Sequence, residues 1–155
     1  MKSPGGSNEQ IKAEKWLFDE LSKELGVKLI KQKFDLEGER PIELDGFCEY
    51  PLILCEAWSY IGSPRGCQPF KVMSDAVKLM FVNNTLFKGK GKCILLFADH
   101  EAVAHFISGS WMAQCLKYYD IEVKIIEPPQ EIQAEIRKPE GRPKCYIRLP
   151  KTRKL

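Results

Sequence analysis

IELDGFCEYPLILCEAW, residues 42–58, sets two apolar runs around Glu49-Tyr50-Pro51, and each run carries a carboxylate, Asp45 and Glu56, where a core residue would serve. The runs read as two strands of a tight hairpin. If the turn falls at Tyr50-Pro51, opposed positions sum to 101, so Asp45 faces Glu56 with Cβ atoms roughly 5 Å apart. Carboxylates that close repel unless something positive lies between them. A divalent cation such as Mg²⁺ is the economical answer, because it takes one or two carboxylates and keeps waters for chemistry. Pro51 fits a two-residue turn poorly, and a one-residue slip would send the two acids to opposite faces. The competing reading makes Glu43, Asp45, Glu49 and Glu56 the wet face of an antiparallel hairpin. Against it, Glu56 alternates with Leu52, Leu54 and Trp58, which describes a covered face, and Gly46 permits close approach of a ligand or strand.

Outward from the hairpin, Ser7 with Gln10 forms the pattern of a capping box that opens a helix running to about Leu25 and stopping at Gly26. Ile11, Glu14, Leu17, Phe18, Leu21 and Leu25 share one face of it, with the carboxylate of Glu14 at the N-terminal end of the apolar stripe. Val27 to Phe34 reads as a first strand. After the hairpin, SYIGSPRGC (residues 59–67) is a Gly/Pro-bearing loop. A helix follows from Pro69, suited to a first helical position, to about Val82. NNTLFKGKGK then connects to KCILLFA (92–98), a buried strand. Asp99 caps a helix from His100 to Tyr119, and EVKIIE (122–127) adds a strand before Pro128 and Pro129. The order α-β-β-β-α-β-α-β predicts an α/β fold, a mixed β-sheet flanked by helices on both faces. CYIRL (145–149) is a candidate edge strand among prolines. Residues 1–8 form a flexible segment, 9–136 one α/β domain and 137–155 a basic C-terminal segment.

A helix with a glutamate near its start, a strand with an acid followed by glycine (ELDGF) and a second strand ending in an acid (LILCEAW) together resemble the PD-(D/E)XK nuclease superfamily. The likeness runs through roughly residues 9–127 and implies a restriction endonuclease-like fold. In that superfamily the two strand acids bind Mg²⁺, a helix glutamate often completes the site, and a lysine two residues after the second acid positions or activates the attacking water. By resemblance, Asp45 and Glu56 are the metal ligands, for Mg²⁺ or Mn²⁺, and Glu14 is the helix acid, with Glu20 its alternative. Trp58 stands where the lysine should be. Some members carry that lysine on the following helix, where Gln68 and Lys71 sit three residues apart on one face. The bland alternative for Lys71 is a solvated residue sharing a polar face with Asp75 and Lys78.

The function so implied is metal-dependent phosphodiester hydrolysis in nucleic acid, with DNA the first expectation. The alternative is a catalytically inactive nuclease-like module that binds DNA or protein, with Trp58 filling the lysine position. The resemblance would also allow a homodimer, because nucleases that cut both strands often act as two-fold dimers.

Charge agrees with an anionic partner. The chain of 155 residues carries a formal +3, yet residues 137–155 hold eight Lys or Arg against Glu140 alone, which leaves the body at −4. Arg142, Lys144, Arg148 and Lys151 in that segment, and Arg65 in the loop before the helix, are candidate contacts to a nucleic-acid backbone. A solvated tail and an ordinary loop cation are the plain alternatives. No window is apolar enough to span a membrane and the N-terminus has no signal core, so a cytoplasmic protein is expected. The six cysteines lack the spacing of a zinc site and mostly sit in apolar runs, so they are expected to be reduced. His100 and His105 are spaced too widely for a paired metal site. GKGK (89–92) precedes a strand, unlike a phosphate-binding loop.

Overall fold

A computed structural model describes residues 8–136. Helix α1 (Asn8–Leu25) buries Ala13, Leu17, Phe18 and Leu21 and ends at Gly26, whose φ of 65° suits glycine. Three strands follow: β1 (Ile30–Phe34), β2 (Ile42–Cys48) and β3 (Ile53–Trp58). Then come α2 (Gln68–Phe87), β4 (Lys92–Phe97), α3 (His100–Ile107), α4 (Trp111–Tyr118), β5 (Ile121–Ile125) and α5 (Gln130–Glu135). The strands form one sheet in the order β1-β2-β3-β4-β5. The first two pairings are antiparallel and the last two parallel, so the fold is α/β with a five-stranded mixed sheet.

The period-two alternation of β3 divides the core in two. Leu54 and Trp58 join Leu44 and Phe47 of β2 under α2, α3 and α4. Ile53 and Cys55 turn the other way, packing with Ile94 and Leu96 against Leu17, Phe18 and Leu21 of α1. Helices therefore cover both faces. A Cβ on Gly46 would lie 2.6 Å from Phe18 Cε1, so this glycine admits the ring of α1.

Several element boundaries differ from expectation. Helix α2 continues through Asn83, Asn84 and Thr85 to Phe87, because these polar side chains find partners without breaking the helix. The Asn83 amide donates to the Gly91 carbonyl and accepts from the Gly91 N–H, while Asn84 and Thr85 donate back to Met80 and Phe81 carbonyls. The helix ends instead at Lys88 in the left-handed region, with the Gly89 N–H closing on the Asn83 carbonyl. The expected single helix from His100 to Tyr119 is two: Gly109 has φ 75°, and Ser110 caps α4 by accepting from the Ala113 N–H. Asp99 caps α3 as expected, accepting from Ala102. Helix α5 begins directly after Pro129, where only a strand break was expected.

Cys48, Cys55, Cys93 and Cys115 are free thiols, but Cys67 is disulfide-bonded, which corrects the expectation of six reduced cysteines. Cys67 is the one described cysteine in the Gly/Pro loop rather than inside a strand or helix. Ser7, residues 145–149 and the basic residues Arg142, Lys144, Arg148 and Lys151 lie outside the described residues. Among the described residues no helix is long and apolar enough to cross a membrane.

Candidate functional site

The hairpin register pairs Gly46 with Cys55, Phe47 with Leu54 and Cys48 with Ile53, all summing to 101, and the Tyr50–Pro51 peptide is cis. Beyond Gly46 the backbone ladder stops and the two acids take over. The Asp45 N–H donates to Glu56 Oε1 at 3.3 Å, and the Ala57 N–H donates to Asp45 Oδ2 at 3.4 Å. Each carboxylate thus accepts from the opposite strand's backbone. On the other side of β2, Ile30 pairs with Phe47 but Gln32 pairs with Leu44, so Lys31 alone faces both Asp45 and Gly46. The register shift places a β-bulge at the acid, the kind of device that re-aims a side chain.

Glu56 is only 3 % exposed, on the face shared by Leu54 and Trp58 rather than in water. Burial and the adjacent Asp45 carboxylate push its pKa up to about 9, against the pull of Lys78. Without a metal Glu56 therefore holds its proton through neutral pH. Its close partner is Lys78 of α2, whose Nζ lies 2.7 Å from Glu56 Oε1. Partial burial alone would depress the Lys78 ammonium, but Glu56, then Asp75 and Asp45, outweigh it and hold its pKa above the ordinary value.

Sequence spacing did not single out Lys78, and Lys71 takes a different place. Lys71 Nζ is exposed and 3.9 Å from Asp75 Oδ2, one turn along α2. Lys71, Asp75 and Lys78 nevertheless share one helix face, and Asp75 is raised by its own burial against the lowering effect of both lysines. Gln68 accepts from the Arg65 N–H at 2.8 Å, which uses its side chain to close the turn into α2. Arg65 is exposed in that turn.

Glu14 comes close from the opposite layer. It is partly buried, 3.8 Å from Lys31 Nζ, and raised by burial and then by Asp45, with Lys31 and Lys71 pulling it down. Glu20 is occupied with Lys23 on the helix surface at 2.6 Å. Trp58 is 5 % exposed and packs against Tyr60 with ring centroids 4.7 Å apart. Its Nε1 has no hydrogen-bond partner among the described residues. The position two beyond Glu56 is thus core, which a lysine could not occupy without burying its charge.

The donor set is two hard carboxylates, and among the described residues no three or more His, Cys, Asp or Glu side chains gather as a metal cage. Two carboxylates with water completing the shell are what Mg²⁺ accepts, so Asp45 and Glu56 fit such an ion and fit Zn²⁺ poorly. His100 lies 3.4 Å from Glu127, apart from the acids. A cavity of about 300 Å³ between the end of α2 and α4, lined by Asn83, Asn84, Cys93, Tyr118 and Asp120 among others, is also separate from them. Compared with protein-family models, curated proteins and solved structures, the chain matches none.

Proposed function

We propose that this protein is a metal-dependent nuclease, hydrolysing phosphodiester bonds of nucleic acid, DNA in the first instance, on a restriction endonuclease-like fold of the PD-(D/E)XK type. The observation that carries the reading is the convergence of Asp45, Glu56 and Lys78 from three successive elements, β2, β3 and α2. Two acids and one lysine are the groups that chemistry requires, and the strand order around them is compatible with the fold.

Asp45 and Glu56 would hold Mg²⁺ or Mn²⁺, which supplies positive charge at the scissile phosphate and a more acidic attacking water. The remaining work belongs to the chain. The Ala57 N–H fixes one Asp45 oxygen, and the Asp45 N–H together with the Lys78 ammonium fixes Glu56 Oε1, so each acid has a backbone donor to orient it. Lys78, rather than Lys71, takes the role of the missing motif lysine: its ammonium is anchored at Glu56 and can orient the attacking water or stabilise charge on the phosphoryl oxygens. Glu14, the helix acid of the resemblance, stands 3.8 Å from Lys31 Nζ and feels the Asp45 charge without joining the pair as a third ligand. Cleavage of supercoiled plasmid and single-stranded DNA with Mg²⁺ or Mn²⁺, lost in Asp45→Ala and Glu56→Ala, is the test.

One observation favours a second reading, an inactive nuclease-like module. Lys78 already gives Glu56 a positive neighbour, so the pair is neutralised without a metal. Calorimetric titration with Mn²⁺ separates the two, because a site retained for catalysis binds the ion and a relic does not.

A further inference from the structure

Three lysines reach the acid cluster, and they are not equivalent. Lys78 is 27 % exposed and at hydrogen-bond distance from Glu56. Lys31 and Lys71 are 56 % and 66 % exposed, and their nearest carboxylates, on Glu14, Glu43 and Asp75, stand 3.8–3.9 Å away. At those distances the two exposed ammonium groups are loosely ion-paired, and each has three donors to turn toward water or an anionic ligand. Lys33 also lies 3.8 Å from Glu43, so that acid does not depend on Lys31.

The two reach the site from different sides. Lys31 stands on the edge strand opposite the Asp45–Gly46 bulge, and Lys71 stands on α2 in the same electrostatic neighbourhood as Glu14.

We propose that Lys31 and Lys71 are the phosphate-contacting residues that hold the nucleic-acid backbone across the Asp45–Glu56 pair. The assignment rests on the nuclease reading above. It gives these lysines a positioning role distinct from that of Lys78. Each contact displaces condensed counterions, so each lysine removed lowers the salt dependence of binding.

The test is binding of a fluorescein-labelled DNA duplex to the full chain in Ca²⁺, by fluorescence anisotropy across a salt series. The proteins are wild type, Lys31→Gln, Lys71→Gln, the double variant, and a control, Lys117→Gln, on α4 beside the opposite edge strand. Thermal melts verify folding, which exposed and loosely paired lysines affect little. The expected result is a log–log salt slope shallower by about one per lysine lost at 31 or 71. In cleavage, KM should rise with kcat nearly unchanged, and Lys117→Gln should behave as wild type. If wild type binds and cuts but the double variant keeps the wild-type slope and KM, the assignment is overturned while the nuclease reading stands. If wild type neither binds nor cuts, both fall together.

Discussion

Lys78 Nζ and Glu56 Oε1 are 2.7 Å apart, so a lysine from the middle of α2 meets the buried acid of β3. Truncating the lysine leaves that acid without its positive neighbour. Lys78→Met is expected to lower unfolding free energy by about 2–3 kcal/mol at alkaline pH, where Glu56 must ionise. Near pH 6, where Glu56 keeps its proton, the cost should be about 1 kcal/mol. Urea denaturation at the two pH values measures the difference. Equal costs at both would mean the pair is not electrostatically coupled.

Glu56 also gives the metal-free protein a pH dependence of definite sign. Its folded pKa, about 9, lies above the ordinary 4.5, so between these values the folded state binds more protons than the unfolded one. Stability from this group is full below about pH 4.5 and is lost as pH rises toward 9, by at most about 1.4 kcal/mol per pH unit. Glu14 and Asp75, both raised by burial, act in the same direction. Melting in EDTA is expected to fall over this window, and Glu56→Gln should flatten the curve. An unchanged slope in that variant would place the titration elsewhere.

Gly46 is where α1 meets the hairpin. With a Cβ 2.6 Å from Phe18 Cε1, Gly46→Ala should destabilise by about 1–3 kcal/mol. Adding Phe18→Leu should recover part of that loss, in a double-mutant cycle read by denaturation. Strict additivity would mean the two residues do not press on one another.

Trp58 distinguishes a core position from a catalytic one. Its Nε1 has no partner among the described residues, so Trp58→Phe forfeits only volume, about 1–2 kcal/mol. Trp58→Lys, which would restore the superfamily motif in sequence, should unfold the protein or lower its melting point sharply rather than raise activity. Melting curves and cleavage rates of the two variants decide this.

The hairpin was the most legible part of the chain: period-two alternation marked both strands, and of the registers that Pro51 left open the one summing to 101 forms and brings Asp45 beside Glu56. Helix α1 and buried β4 were legible for similar reasons of pattern. The end of α2 was not: Asn83, Asn84 and Thr85 read as a connection by propensity, and their helical state depends partly on bonds from Asn83 to Gly91, eight residues ahead. The break between α3 and α4 did have a signal, the Ser108-Gly109-Ser110 run with its cap. Lys78 was hardest to see. Which turn of α2 lies over Glu56 depends on where the helix crosses the sheet, and local spacing does not encode that. The available hint was Asp75 and Lys78 interleaved with the buried residues Val72, Ala76 and Leu79.

The most direct measurement is the Mn²⁺- or Mg²⁺-dependent cleavage rate of supercoiled plasmid by wild type, Asp45→Ala, Glu56→Ala, Lys78→Ala and Lys71→Ala, each verified as folded. The expected result is cutting by wild type, loss of about a hundredfold or more in both acid variants and in Lys78→Ala, and retention of kcat in Lys71→Ala. A folded wild type that does not cut, or a Lys78→Ala variant that cuts as well as wild type, would contradict a catalytic site built from Asp45, Glu56 and Lys78.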